Sequence, residues 1–371
     1  MPYFNPIPVL GGKQQAVASK LVLAAAALWV TASLIWRPAR SRRVPYEPSP
    51  AKALSKGVLN DLPYPPDVLP GARDVETPYG SIRVYEWGPE DGERVLFVHG
   101  ISTPVVALGD LGHEMVARGY RVMMFDLFGR GYSDAPNDLA YDARLFVTQL
   151  LLVLASSRTP WTTAPGFHLV GYSLGGGLSV NFTRYFPHLV RSLSLIAPCG
   201  LIRGHHVGWR SWLYYNSGFE TADGDANGGA RFDSAVISKT RPHVTVSSVV
   251  AWQVDYHKGF VMAFISTIRN APIYAPQRDW QVLSKILESR RNRTRIQADD
   301  PEFEAGLEGG KILLVLGKDD GVIVMDETIG DATSVLGHDG FELATLEGGH
   351  ELPFTSSTGV ADSIESFLKS R

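Results

Sequence analysis

The sequence predicts an α/β domain built on a mostly parallel sheet flanked by helices, and three observations carry the prediction. Short apolar runs, Arg94–Val98, Tyr120–Phe125 and Phe167–Tyr172, alternate with helix-type segments at Val105–Ala117 and Tyr141–Ser156. Strands separated by helices build parallel sheets, and strands buried on both faces read as continuous apolar runs. Each run also empties into a polar or glycine-rich segment. The third does so as Gly171-Tyr172-Ser173-Leu174-Gly175, a Gly-x-Ser-x-Gly pattern that passes from strand to helix. Such a sharp turn needs residues without a Cβ beside it, while the serine projects its hydroxyl above the sheet edge.

Taken in order, the chain begins with a segment of different character. Residues 1–50 carry six basic side chains against Glu47, net +5, which leaves −8 for the rest of a 371-residue chain whose total is −3. An acidic folded part argues against nucleic acid as a partner. Leu21–Trp36 is sixteen residues without a charge, and counting from Ala16 gives about the length a bilayer-crossing helix needs. Arg37, Arg40, Arg42 and Arg43 follow Trp36, an edge typical of a membrane interface. Residues 1–43 are therefore expected to be a retained single-pass anchor with a basic flank. By the positive-inside rule the bulk of the chain would lie on the cytosolic side. Residues 44–80, with eight prolines, read as a linker or strap.

The first part of the core spans residues 81–198. Ser81–Trp87 alternates as a strand, Arg94–Val98 ends in His99-Gly100-Ile101-Ser102, and Tyr120–Phe125 ends in Asp126-Leu127-Phe128-Gly129-Arg130-Gly131-Tyr132-Ser133-Asp134. These two loops and the Gly171–Gly176 turn together resemble the α/β-hydrolase fold, in its lipase, esterase and serine-aminopeptidase-like branches. The resemblance runs from about residue 80 to the C-terminus, interrupted by one long insertion. In that family the triad follows the order nucleophile, acid, histidine.

The resemblance therefore asks for an acid and a histidine downstream of Ser173. Lys311–Gly317 is a buried strand that opens on Lys318-Asp319-Asp320, and Phe341–Leu346 opens on Glu347-Gly348-Gly349-His350. Similarity to the family favours Asp320 over Asp319, because the family's acid sits three residues after the glycine ending this strand. A proline often found just beyond is replaced by Val322-Ile323-Val324. The roles implied are Ser173 as nucleophile, His350 as its base and Asp320 as the group that orients the imidazole. The backbone N–H groups of Leu174 and Ile101 are the expected oxyanion donors, with the Ser102 hydroxyl as a further donor. His99 is expected to shape its loop and Asp126 to order the glycine-rich one.

Residues 199–308 are expected to form an inserted, mainly helical cap, with residues 309–371 completing the core. Trp209, Trp212, Tyr215, Trp252 and Tyr256 are its candidate substrate-binding residues, either as cap core or as the wall of an apolar acyl tunnel. Asp223–Gly228 matches the first half of a calcium loop, but Arg231 and Ser234 stand where the ninth and twelfth ligands belong. His205, His206 and His257 lack partners at metal spacing. No metal or other cofactor is expected, and the single cysteine, Cys199, allows no internal disulfide. The function implied is a membrane-anchored serine hydrolase that cleaves a lipophilic carboxylic ester such as a monoacylglycerol. Amidase or peptidase, thioesterase and acyltransferase chemistry use the same triad, and a non-catalytic ligand receptor can retain it.

Overall fold

The apolar runs become strands, and their order in the sheet fixes where the loops meet. The structure, a computed structural model, describes residues 45–203, 228–274, 277–294 and 306–371. A two-residue strand β1 (Tyr46–Glu47) precedes the short helices α1 (Pro50–Ala53) and α2 (Lys56–Asn60). Strands β2 (Arg73–Thr77), β3 (Gly80–Trp87) and β4 (Arg94–Val98) follow, then helix α3 (Gly109–Ala117), β5 (Arg121–Phe125) and β6 (Ala135–Pro136). Helix α4 (Ala143–Ala155) leads to β7 (Phe167–Tyr172), helix α5 (Leu174–Tyr185) and β8 (Val190–Ile196). The Asp142 carboxylate caps α4 by accepting from the N–H groups of Arg144 and Leu145.

The inserted segment contributes α6 (Gly228–Ser234), α7 (Val246–Tyr256) and α8 (Phe260–Asn270), and a Thr245/Ser248 capping box starts α7. Helix α9 (Gln277–Thr294), β9 (Ile312–Gly317), α10 (Met325–Leu336), β10 (Phe341–Leu346), α11 (Leu352–Thr355) and α12 (Ser357–Lys369) complete the chain. The main sheet has eight strands in the order β10-β9-β8-β7-β4-β5-β3-β2. β3 runs antiparallel to β2 and β5, and every other pairing in this sheet is parallel.

Strand order reverses between β4 and β7, since the chain builds outward from β4 to β5 and then returns to β4's other side. A crevice opens at the C-terminal ends of the strands where such a reversal occurs. Register brings Val98 beside Gly171, Gly171 beside Leu195 and Gly317 beside Leu346, so the loops after β4, β7, β8, β9 and β10 leave one edge of the sheet.

Two boundaries differ from the sequence expectation. Residues 44–80 were expected to be a linker or strap, yet Arg73–Thr77 pairs with β3 as the sheet's outer strand, and Leu62, Tyr64 and Leu69 are buried in the core. The edge position explains the concealment: Asp74 and Glu76 point to solvent, so hydropathy alone does not mark a strand. The insertion was expected to run to residue 308, but α9 belongs to the core's helical layer. Trp280, Leu283 and Leu287 are fully buried along one face, and Asp279 receives a hydrogen bond from Asn181 Nδ2 at 2.7 Å and pairs with Arg184, both on α5. Amphipathic spacing reveals a buried face without revealing its partner.

Residues 1–43, the expected anchor, lie outside the described residues. Among those described, no helix is long and apolar enough to cross a membrane. If α9 is part of the core, Trp280→Ala should lower the unfolding free energy by about 3–5 kcal/mol in urea titration, in one transition with the whole domain. A loss below about 1 kcal/mol would assign α9 to a separate cap.

Candidate active site

At the end of β7 the chain turns through Ser173 with φ 53° and ψ −117°, a strained conformation for a residue with a Cβ. Three backbone bonds hold it. Ser173 N–H donates to the Ile196 carbonyl at 3.0 Å, and its own carbonyl accepts from Cys199 N–H at 2.8 Å and Gly176 N–H at 2.9 Å. Glycine is required on both sides: a Cβ on Gly171 would lie 2.4 Å from the Gly175 carbonyl oxygen, and one on Gly175 would lie 2.0 Å from that of Val98. The helix α5 is thereby seated directly against the end of β4.

The turn brings Ser173 Oγ to 3.0 Å from His350 Nε2. His350 Nδ1 lies 2.9 Å from Asp320 Oδ2, and the other oxygen, Asp320 Oδ1, accepts from the N–H groups of Val322 and Ile323, each at 2.8 Å. Asp320 is thus held by the very residues that stand where the family places a proline. Asp319 instead turns outward, 3.5 Å from Arg231. Tyr172 donates its hydroxyl to the His350 carbonyl at 2.7 Å, and its ring centroid lies 5.2 Å from the imidazole. Together these contacts fix the histidine loop from below.

Leu174 opens α5, so its N–H is among the helix N-terminal donors that have no partner in the preceding turn. The loop after β4 lies alongside: a Cβ on Gly100 would sit 3.4 Å from that of Ser173. His99 anchors this loop from inside. Its Nδ1 lies 2.8 Å from the Gly100 carbonyl oxygen, and its Nε2 accepts from Leu127 N–H at 2.8 Å, which fixes the tautomer with the proton on Nδ1. Asp126 accepts from Val105 N–H at 3.0 Å and Tyr132 N–H at 2.9 Å. It therefore ties the glycine-rich loop to the loop after β4.

The cap candidates separate. Trp209, Trp212 and Tyr215 lie outside the described residues, as do Asp223–Asn227 of the half calcium loop. Trp252 is buried in an aromatic cluster, its centroid 5.5 Å from Tyr132 and 5.6 Å from Tyr64, and Tyr256 is 41% exposed. Neither is brought together with the Ser173–His350–Asp320 chain. Phe232, on α6, fills a place that the sequence reading missed, with its centroid 5.5 Å from His350 and 6.1 Å from Phe354. Beside it Arg231 Nε lies 2.7 Å from the buried carboxylate of Glu351. Cys199 Sγ is 3.9 Å from Ser173 Oγ, and burial pushes the thiol up to about 12, so it stays neutral beside the serine. Among the described residues no cluster of His, Cys, Asp and Glu could hold a metal ion.

The alpha/beta hydrolase fold model matches residues 93–357. The chain belongs to the α/β-hydrolase family. Among curated relatives, an uncharacterized protein of Mycobacterium tuberculosis is 29% identical over 147 residues, covering 39% of this chain and 40% of its own. A 2-hydroxy-6-oxo-2,4-heptadienoate hydrolase of Pseudomonas putida is 32% identical over 112 residues, 30% of this chain and 39% of its own. These matches span about 40% of the relatives' length. A membrane phospholipase A described as a bacterial virulence factor superposes with TM-score 0.58 at 17% identity, over 96% of this chain and 98% of that one. At that identity the likeness speaks for the fold alone.

Two buried imidazoles make stability depend on pH. Burial lowers His99 to about 3 and His257 to about 4, while Asp126 is raised by burial to about 6 and works in the opposite sense. An unfolded histidine protonates near about 6.5, so below that pH the unfolded chain binds protons that the folded chain refuses, and stability falls on acidification until the folded values are reached. His257 Nε2 lies 2.9 Å from the Ser133 carbonyl oxygen, a contact that glutamine's amide can keep. Around pH 5 the unfolding free energy of the wild type should therefore fall by about 1.4 kcal/mol more per pH unit than that of His257→Gln. Equal slopes in urea titrations would show that His257 protonates in the fold.

Proposed function

We propose that the protein is a serine hydrolase that cleaves a lipophilic carboxylic ester through an acyl-serine intermediate. The observation that carries this reading is the hydrogen-bonded chain Ser173 Oγ, His350, Asp320, with its serine on a strained turn. His350 Nε2 takes the hydroxyl proton as Ser173 Oγ attacks the acyl carbon, and Asp320 holds the Nδ1 proton and stabilises the imidazolium. The N–H groups of Leu174 and Ile101 receive the oxyanion. His350 then gives its proton to the departing alcohol oxygen, the C–O bond breaks and acyl-Ser173 remains. A water that loses its proton to His350 attacks the acyl carbon, and the proton returns to Ser173 Oγ as the carboxylic acid leaves.

Support for an apolar acyl group comes from Phe232 and Phe354 beside His350 and from the aromatic content of the inserted segment. In this reading residues 1–43 anchor the enzyme and the hydrolase domain faces the cytosol, supported by the apolar run Leu21–Trp36 and the four arginines after it.

A fluorophosphonate should label the wild type and leave Ser173→Ala unlabelled, and Asp320→Asn should lower kcat by about 10³–10⁴. An unlabelled wild type would refute the hydrolase. In a series of p-nitrophenyl esters, kcat/KM should rise from acetyl to long acyl chains, and a flat profile would exclude the lipophilic substrate. In sealed inside-in vesicles, external protease should leave the domain intact only if it lies within; with cytosolic-side-out vesicles the domain should be cleaved, and its full protection there would overturn the orientation.

A further inference from the structure

Arg130 is fully buried, yet it faces no carboxylate among the described residues. A guanidinium withdrawn from water is costly unless its donors are satisfied, and here carbonyl and hydroxyl oxygens satisfy them. Nε donates to the Ile101 carbonyl at 3.1 Å, Nη1 to the Phe128 carbonyl at 3.2 Å and Nη2 to Thr267 Oγ1, on α8, at 2.9 Å. The next carbonyl of the same loop is held in the same manner. Gln253, fully buried on α7, donates Nε2 to the Ser102 carbonyl at 3.0 Å and accepts Gly131 N–H on Oε1 at 2.9 Å. Two successive carbonyls after β4 are thus each gripped by a buried side chain, and each grip ends on a helix of the inserted segment.

We propose that Arg130 and Gln253 are positioning residues that keep the loop after β4 with its carbonyls turned away from the reacting oxygen and the Ile101 N–H turned toward it. The inference rests on the serine-hydrolase reading above. A peptide flip at this loop would present a carbonyl lone pair to the developing oxyanion, and repulsion would replace a hydrogen bond. The peptide that carries the Ile101 N–H has Gly100's carbonyl, which His99 Nδ1 holds at 2.8 Å, and Arg130 and Gln253 hold the carbonyls of the two peptides that follow; rotation of the loop must therefore break charge-assisted or buried bonds, so the donor is held ready before substrate arrives. It follows that α7 and α8 work as a fixed brace for the oxyanion site.

The test measures kcat per titratable Ser173, so that misfolded protein does not count, together with KM and the affinity for an alkylboronic acid that forms a tetrahedral adduct on the serine. Gln253→Leu removes both contacts, and Gln253→Glu keeps the acceptor for Gly131 while losing the donor to Ser102. Both should lower kcat about 10- to 100-fold and weaken boronate binding by a similar factor, with KM changed less than about threefold. Thr267→Val keeps the shape of α8 and removes one acceptor of Arg130, and Thr267→Ser should restore what it loses. If Gln253→Leu does not fold, Gln253→Glu and the Thr267 pair decide the matter. Wild-type kcat and boronate affinity in folded variants would overturn the inference, as would a loss confined to KM. A wild type that hydrolyses no ester and is not labelled by fluorophosphonate would refute the underlying serine-hydrolase reading instead, and this inference with it.

Discussion

A non-glycine residue at positive φ persists only where its surroundings over-determine it, and at Ser173 they do so through three backbone bonds and the absence of side chains on Gly171 and Gly175. Those bonds reach Ile196 and Cys199 on the far side of β7, while Gly175 packs on Val98 at the end of β4. One strained residue therefore locks three adjacent strand ends together. The loops after β9 and β10 are placed from the same frame, since Ala197 N–H donates to the Val315 carbonyl and the Tyr172 hydroxyl to that of His350. The geometry around the serine is a property of the sheet as much as of the site.

This explains which parts were legible in the sequence. Strands β4, β5, β7 and β9 announce themselves as apolar runs because both faces are buried, and residues at their ends must share an edge once the strands are parallel. Ser173, Asp320 and His350 could be singled out for that reason, with the family's spacing separating Asp320 from its neighbour. Strand β2 could not, since its Arg-Asp-Val-Glu-Thr alternation is that of a solvent-facing edge. Phe232, Arg130 and Gln253 were equally hidden. Their contacts join positions 118, 29 and 151 residues apart, and nothing local in the chain encodes such a meeting.

In sequence the inserted segment stands out chiefly as a source of aromatic surface, and the structure gives its described helices a second character. Trp252 packs on Tyr64 and Tyr132 while its neighbour Gln253 threads between two loops, so one turn of α7 couples apolar packing with a polar bridge. Buried polar groups of this kind specify one arrangement more sharply than apolar packing, because an unmade bond in a dry interior is expensive. The same holds for Asp126, whose two carboxylate oxygens serve two different loops.

The carboxylate of Asp134 has a mechanical meaning. It accepts from Ser49 N–H at 2.8 Å and Ser81 N–H at 2.7 Å and lies 3.2 Å from Lys52 Nζ, while β1 pairs with β6, which begins at the next residue. The stretch that follows residue 44 is thus riveted to the loop bearing Arg130, with no slack between the rivet and the sheet. Tension applied at Pro45 would be borne in shear by that one carboxylate and the β1–β6 bridge. A truncated form that begins near residue 45 keeps the rivet, whereas one that begins at the first long strand leaves Asp134 buried with two of these three donors gone.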